Sequence, residues 1–127
     1  MDLYDMMQEV YEVNVANGWF EDGRTFGDEI ALLHSEVSEA LEEFRDHGME
    51  EFYKFSTGTF PQKSVESTQM LVQGDIPKPL GVPSEAADIL IRLLDFCYRH
   101  NINLEDEYHK KMRYNRTRGY RHGGKKL

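Results

Sequence analysis

Apolar residues recur at three- and four-residue intervals along most of this chain, and Gly, Pro, Asn and Asp punctuate the gaps. Over residues 2 to 17, Leu3, Met6, Met7, Val10, Tyr11 and Val13 form one stripe, which Asn17-Gly18 ends. Trp19 and Phe20 follow, and Glu21-Asp22-Gly23 reads as a turn. A second helix starts between Thr25 and Asp28 and runs to about His47, stopped by Gly48. Its Ile30, Leu33, Val37, Ala40, Leu41 and Phe44 have the spacing of a bundle helix. Glu36, Glu39 and Glu43 form a neighbouring stripe, close enough to the apolar face to be partly buried.

Residues 49 to 80 lose this rhythm, because Gly58, Pro61, Gly74, Pro77 and Pro79 break any helix. The segment reads as a long loop with local structure. Phe52, Tyr53 and Phe55 suit a short strand or a helical turn, and Met70-Leu71-Val72 another. Loops of this length are commonly lids or binding loops, so a lid or an oligomer contact is expected here. Pro83 and Ser84 open a third helix, with Ser84 as its cap or Pro83 in its first turn. Ala86, Ile89, Leu90, Leu93, Leu94 and Cys97 carry its apolar face to about His100. Asn103 caps a fourth helix from Leu104 to about Thr117, and Gly119, Gly123 and Gly124 mark a non-helical tail. The pattern predicts one all-α domain over residues 1–127, a four-helix bundle with a long loop between helices 2 and 3.

Charge adds an asymmetry. The 127 residues carry a net charge of −8, which argues against a general nucleic-acid or membrane binder. Yet Lys110 to Leu127 contains eight Lys or Arg and no acid. An acidic body with a basic end suits a site that holds cations in one place and phosphates in another. A solvated basic tail is the plainer account. Cys97, the only cysteine, has apolar neighbours and reads as a buried thiol, which favours a cytoplasmic protein. The N-terminal residues lack the pattern of a signal peptide, and no apolar run approaches the roughly 20 residues that span a bilayer.

Two motifs carry the chemistry: Glu36-Val37-Ser38-Glu39 and Glu85-Ala86-Ala87-Asp88. Each places two carboxylates three residues apart on one helix face, where like charges repel. One such motif is most often a solvated surface. Two of them, each beside strongly apolar positions on long helices, suggest acids gathered around a divalent cation, since a metal offsets the cost of burying them. Oxygen-only ligands favour Mg²⁺, with Mn²⁺ as an alternative, and so point to metal-assisted chemistry on a phosphate.

The segments Leu33-His34-Ser35-Glu36-Val37-Ser38-Glu39-Ala40-Leu41-Glu42, Pro83-Ser84-Glu85-Ala86-Ala87-Asp88-Ile89-Leu90-Ile91 and Lys110-Lys111-Met112-Arg113-Tyr114-Asn115 resemble the MazG-like all-α nucleoside triphosphate pyrophosphohydrolases. The resemblance covers nearly the whole chain apart from residues 49 to 76, and the tail Arg118 to Lys126 is similar to that of small single-domain members. One departure is Ser35, where many relatives have a further Glu. The resemblance implies an enzyme that cuts a nucleoside or deoxynucleoside triphosphate between its α and β phosphates, releasing monophosphate and pyrophosphate, in nucleotide housekeeping. It implies that Glu36, Glu39, Glu85 and Asp88 hold Mg²⁺, with Glu39, Glu36 or a neighbour such as Glu43 taking the proton of the attacking water. It places Lys111 and Asn115 near phosphates and sugar, and Arg92 as a phosphate contact. Arg118 and Arg121 would clamp the pyrophosphate end. Trp19 would stack on the base, although packing at the bundle edge is its ordinary role. His34 and His109 are weaker candidates. The family pattern also implies a homodimer or homotetramer.

Three rivals remain. A di-iron bundle wants Glu-x-x-His pairs, for which Asp106-x-x-His109 is a poor substitute. Phosphoribosyl-ATP pyrophosphohydrolase shares the chemistry and fold type. A non-enzymatic acidic bundle that binds a partner through its basic tail would show no Mg²⁺ dependence.

Overall fold

The computed structural model describes residues 1–19, 23–67 and 76–127. Its elements run α1 (Leu3–Ala16), α2 (Phe26–His47), β1 (Phe52–Phe55), β2 (Gly58–Pro61), α3 (Gln62–Ser67), β3 (Lys78–Leu80), α4 (Val82–Arg99), α5 (Leu104–Asn115) and α6 (Arg121–Gly124). The chain is mainly helical, as the periodicity predicts. It is not all-α, because the segment read as a loop folds into a three-stranded sheet. The expectations for Phe20, for the turn at Glu21-Asp22 and for Met70-Leu71-Val72 lie outside the described residues.

The helix limits follow local chemistry. Asp2 caps α1 by accepting from the Asp5 amide at 2.8 Å, and Asn103 caps α5 by accepting from the Asp106 amide at 3.2 Å. At α2 the capping is reciprocal. Thr25 accepts from the Asp28 amide, and the Asp28 carboxylate accepts from the Thr25 amide at 2.9 Å. The Thr25 backbone amide first, and then the Thr25 hydroxyl, hold the Asp28 carboxyl below its ordinary range. Ser84 does not cap α4. That helix begins earlier, at Val82, and the Ser84 hydroxyl donates instead to the Pro79 carbonyl at 3.0 Å, tying the first turn of α4 to β3.

The chain forms two compact units, Met1–Gly23 with Leu94–Leu127, and Arg24–Leu93. In the first, Met7, Leu94 and Cys97 are buried, and the Tyr11 and Tyr98 rings stack with centroids 4.3 Å apart. Burial pushes the Cys97 thiol pKa up, which makes it an inert packing group. Asp95, only 5% exposed, accepts from Asn14 Nδ2 and from Arg99 Nε, each at 2.9 Å. A charge buried this deeply is tolerable only with such partners. The Arg99 guanidinium also donates to the Trp19 carbonyl at 3.1 Å, which fixes the chain where α1 ends.

The second unit contains α2, the sheet, α3 and the first part of α4. Its strands lie in the order β2-β1-β3, all antiparallel, and Ser56-Thr57 makes the two-residue turn of the β1–β2 hairpin. The register sets Phe52 between Pro61 and Leu80, and Lys54 between Thr59 and Lys78. Phe52 meets the His47 ring at 5.1 Å, so the apolar row rests against the end of α2. Val65 on α3 is fully buried. Aromatic residues alternating around a turn encode this hairpin, but Gly and Pro masked that signal in the sequence.

Gly81 joins β3 to α4 with φ +114°, and a Cβ there would lie 2.7 Å from the Glu50 carbonyl oxygen. Backbone cannot yield as a flexible side chain does, and L-residues avoid this φ. Gly81→Ala is therefore expected to cost about 1–3 kcal/mol and to displace the start of α4. Chemical denaturation checks the first effect and backbone amide chemical shifts over the first turn of α4 the second.

Some residues expected in the core are not there. Val13 on α1 is 51% exposed, and Val37, Leu41 and Phe44 on α2 are 51%, 52% and 55% exposed. The three α2 residues still form one stripe, but nothing among the described residues covers it fully. Among the described residues no helix is long and apolar enough to cross a membrane.

Candidate metal centre

Glu36, Glu39 and Glu85 each bring one carboxylate oxygen into a cluster in which all three oxygens lie within 4.8 Å of one another. The two helices supply them in a simple way. Glu36 and Glu39 are one turn apart on α2, and Glu85 sits in the first turn of α4, whose start is held by Gly81 and by the Ser84–Pro79 bond. The Glu36 side chain is 12% exposed, Glu85 is half-buried and Glu39 faces solvent. Packing thus draws together acids that repel one another.

Electrostatics records that repulsion. Burial, followed by the negative charges of Asp88, Glu39, Glu36 and Glu43, pushes the Glu85 carboxyl from 4.5 to about 7. Glu39 is raised by the hydrogen bond and the charge it shares with Glu36, while its hydrogen bond with Glu85 works the other way. Burial and the Glu36 charge raise Asp88, and Lys78 and Arg92 partly counter them. Asp88 therefore belongs to the same electrostatic neighbourhood as the three clustered acids. Glu85 Oε2 is buried and has no hydrogen-bond partner among the described residues. A buried carboxylate oxygen left unpaired costs free energy that a cation would recover. The donor set is all oxygen, open on the Glu39 side, and compatible with a hard divalent ion that keeps some water.

Searches against family models, curated proteins and solved structures return no match to this chain. Its chemistry must therefore be argued from its own residues.

The remaining candidates fall into two groups. Arg92, one turn after Asp88, donates through Nε to Glu36 Oε1 at 3.1 Å, so it sits at the acidic cluster with its guanidinium engaged. Ser35 donates to the Leu32 carbonyl at 2.6 Å, a bond within its own helix. Glu43 Oε2 lies 3.2 Å from His47 Nδ1 and accepts from that nitrogen when it carries the proton. His34 is exposed.

Trp19, Lys111, Asn115, Arg118 and Arg121 belong to the other compact unit. Trp19 is 52% exposed and its backbone is held by Arg99. Lys111 and Asn115 are exposed on α5, one turn apart. The Arg118 guanidinium lies 5.5 Å from the Tyr114 ring centroid, and that of Arg121 lies 5.6 Å from the Tyr120 ring centroid. Together with His122, Lys125 and Lys126 they line a recess of about 350 Å³. The tail is thus not simply extended in solvent. Arg121, His122 and Gly123 adopt left-handed φ within a tight turn. His109 stacks edge-on against Tyr108 and remains exposed. A separate recess of about 290 Å³, between Tyr4, Met7, Cys97 and Tyr98, has Glu105 as its one acid and no metal-like grouping among the described residues.

Two features at the acidic cluster escaped the periodicity argument. The Lys78 charge reaches Asp88, and Arg92 pairs with Glu36 rather than standing free. The signal for Lys78 was its place just before the Pro79-Leu80-Gly81 entry to α4, which is informative only once that segment is known to be a strand.

Proposed function

We propose that this protein is a divalent-metal-dependent nucleoside triphosphate pyrophosphohydrolase of the MazG-like type, acting in the cytoplasm on a nucleoside or deoxynucleoside triphosphate. The observation that carries the reading is the convergence of Glu36, Glu39 and Glu85 from two helices, with one buried Glu85 oxygen left unpaired. A pattern of solvated surface acids would not bury an unpaired oxygen.

In this reading Glu36, Glu39, Glu85 and Asp88 hold Mg²⁺ or Mn²⁺. The ion, when bound, supplies charge neutralisation at the phosphates and a water of lowered pKa. Glu39 is solvent-accessible and already shares hydrogen bonds with Glu36 and Glu85, which suits it to accept that water's proton. The water oxygen bonds to the α phosphorus, the bond from that phosphorus to the α–β bridging oxygen breaks, and pyrophosphate leaves. Arg92 orients Glu36 through its 3.1 Å bond. The decisive experiment is release of monophosphate and pyrophosphate across a panel of triphosphates with Mg²⁺, Mn²⁺ or EDTA. Metal-dependent pyrophosphate release supports the reading, and release of inorganic phosphate alone overturns it.

The tail fits the same scheme. Arg118 and Arg121 line a cationic recess, the chemistry a phosphate chain needs. Changing both to Ala is expected to raise KM about tenfold with little change in kcat, as steady-state kinetics would reveal. Equal kinetics would return the tail to a solvated role.

The bundle is completed, on this proposal, by a second copy in a homodimer or homotetramer. Among the described residues Met7, Val65, Leu94 and Cys97 are the buried hydrophobics, a thin core. Covering the exposed halves of Val37, Leu41 and Phe44 would stabilise association by roughly 1 kcal/mol per side chain. Leu41→Glu is expected to reduce the assembly to monomers in analytical ultracentrifugation. An unchanged mass would leave the stripe as ordinary surface.

A further inference from the structure

A second charged feature lies on the sheet, outside the acidic motifs. Lys54 and Lys78 are directly opposed in the antiparallel β1–β3 register. Opposed residues project from the same face of a sheet, and like charges placed so are destabilising. Both side chains are exposed, and among the described residues neither ammonium has an ion pair or hydrogen bond. Thr59, opposite Lys54 on the other side, adds a hydroxyl to the row. Three adjacent strands thus present Thr59, Lys54 and Lys78 side by side.

The row faces a definite direction. Two residues along β1, Phe52 projects from the same face and contacts His47, and His47 is bonded to Glu43. Glu43 lies one turn beyond Glu39 on α2. From the other end, β3 leads through Gly81 directly into the turn of α4 that bears Glu85, and the Ser84–Pro79 bond fixes that junction. A repulsive lysine pair is therefore held beside an acidic, metal-type cluster.

We infer that Lys54 and Lys78 form the subsite for the diphosphate end of the substrate, the part that departs as pyrophosphate. This rests on the pyrophosphohydrolase reading for the identity of the substrate, though not for the binding of pyrophosphate itself. An anion seated between the two ammonium groups relieves their repulsion and gains charge-assisted hydrogen bonds, with Thr59 as a further donor. The sheet thereby brings positive charge beside an acidic cluster whose neighbouring guanidinium, Arg92, is already engaged by Glu36.

The test is calorimetric titration of inorganic pyrophosphate, in the presence of Mn²⁺, into the wild type, Lys54→Ala, Lys78→Ala and the double variant. Deoxynucleoside monophosphates are titrated in parallel. Each single change should weaken pyrophosphate binding about tenfold, and the double variant more, while monophosphate affinity stays within about threefold. Lys78→Arg should retain most of the affinity. Both side chains are exposed, so circular dichroism and Tm should be unchanged or slightly raised as repulsion is removed. No pyrophosphate binding by the wild type, undiminished binding by the double variant, or equal weakening of both ligands overturns the subsite. The hydrolase reading fails separately. A wild type that binds pyrophosphate through these lysines yet cleaves no triphosphate keeps the subsite and loses the reaction, and an active wild type with indifferent variants does the reverse.

Discussion

Replacing Glu85 by Gln is expected to lower pyrophosphate release by about a thousandfold or more, with the helical fold retained. The size follows from what is lost, since removing one carboxylate from an oxygen-only centre withdraws several kcal/mol of charge stabilisation at the phosphate. The retention of fold follows from the geometry. Glu85 is half-buried among Glu36, Glu39, Glu43 and Asp88, and its Oε2 has no partner among the described residues, so Gln removes a repulsive charge while its amide can still donate to Glu39. Asp88→Asn should behave alike in rate, because the same negative neighbours surround it. Far-ultraviolet circular dichroism and single-turnover assays separate the two consequences. A variant that unfolds at room temperature would make these acids structural, and one that keeps full activity would remove them from catalysis.

The second large effect is on stability, and it couples pH to metal. Glu85 stands at about 7 in the folded chain against an ordinary 4.5, so the folded state holds this proton more tightly than the unfolded one. Its favourable contribution is therefore fully present below about 4.5, declines as pH rises and is lost above about 7. Glu39 and Asp88 are shifted in the same direction, which reinforces the trend. Metal-free protein should show a Tm that falls from pH 5 to pH 8. Saturating Mg²⁺ or Mn²⁺ at pH 8 should reverse that fall, because a ligand at a hundred times its Kd stabilises by about 2.7 kcal/mol, or roughly 10 °C here. Glu85→Gln should flatten the pH dependence, raise the metal-free Tm at pH 8 and abolish the metal response. Differential scanning calorimetry reads all three. A Tm indifferent to divalent ions in the wild type would mean that the cluster binds none.

The helices were legible because their causes are local. The capping pair Thr25 and Asp28, the stop at Gly48 and the cap at Asn103 act within a few residues, and each helix ends close to where those residues place it. The acidic motifs were legible for the same reason, since a three-residue spacing fixes a shared face whatever surrounds it. The sheet was hidden because a strand is stabilised by its neighbours. Lys78-Pro79-Leu80 carries little strand preference of its own and becomes β3 only through pairing with Phe52-Tyr53-Lys54. Burial was misread for a related reason. The stripe Val37, Leu41 and Phe44 shows which face of α2 is apolar, but it does not show whether this chain or a second copy covers that face.

What the sequence by itself determined, then, is where the helices lie, which residues share a face and where charge is concentrated, because those depend on backbone period and short-range capping. Tertiary structure alone decided that three of the acids converge within 4.8 Å and that Arg92 answers Glu36. It also decided that Lys54 stands opposite Lys78. Those distances depend on how α2, α4 and a non-local strand pair pack, and a one-residue change of register would turn every side chain of a strand to the other face.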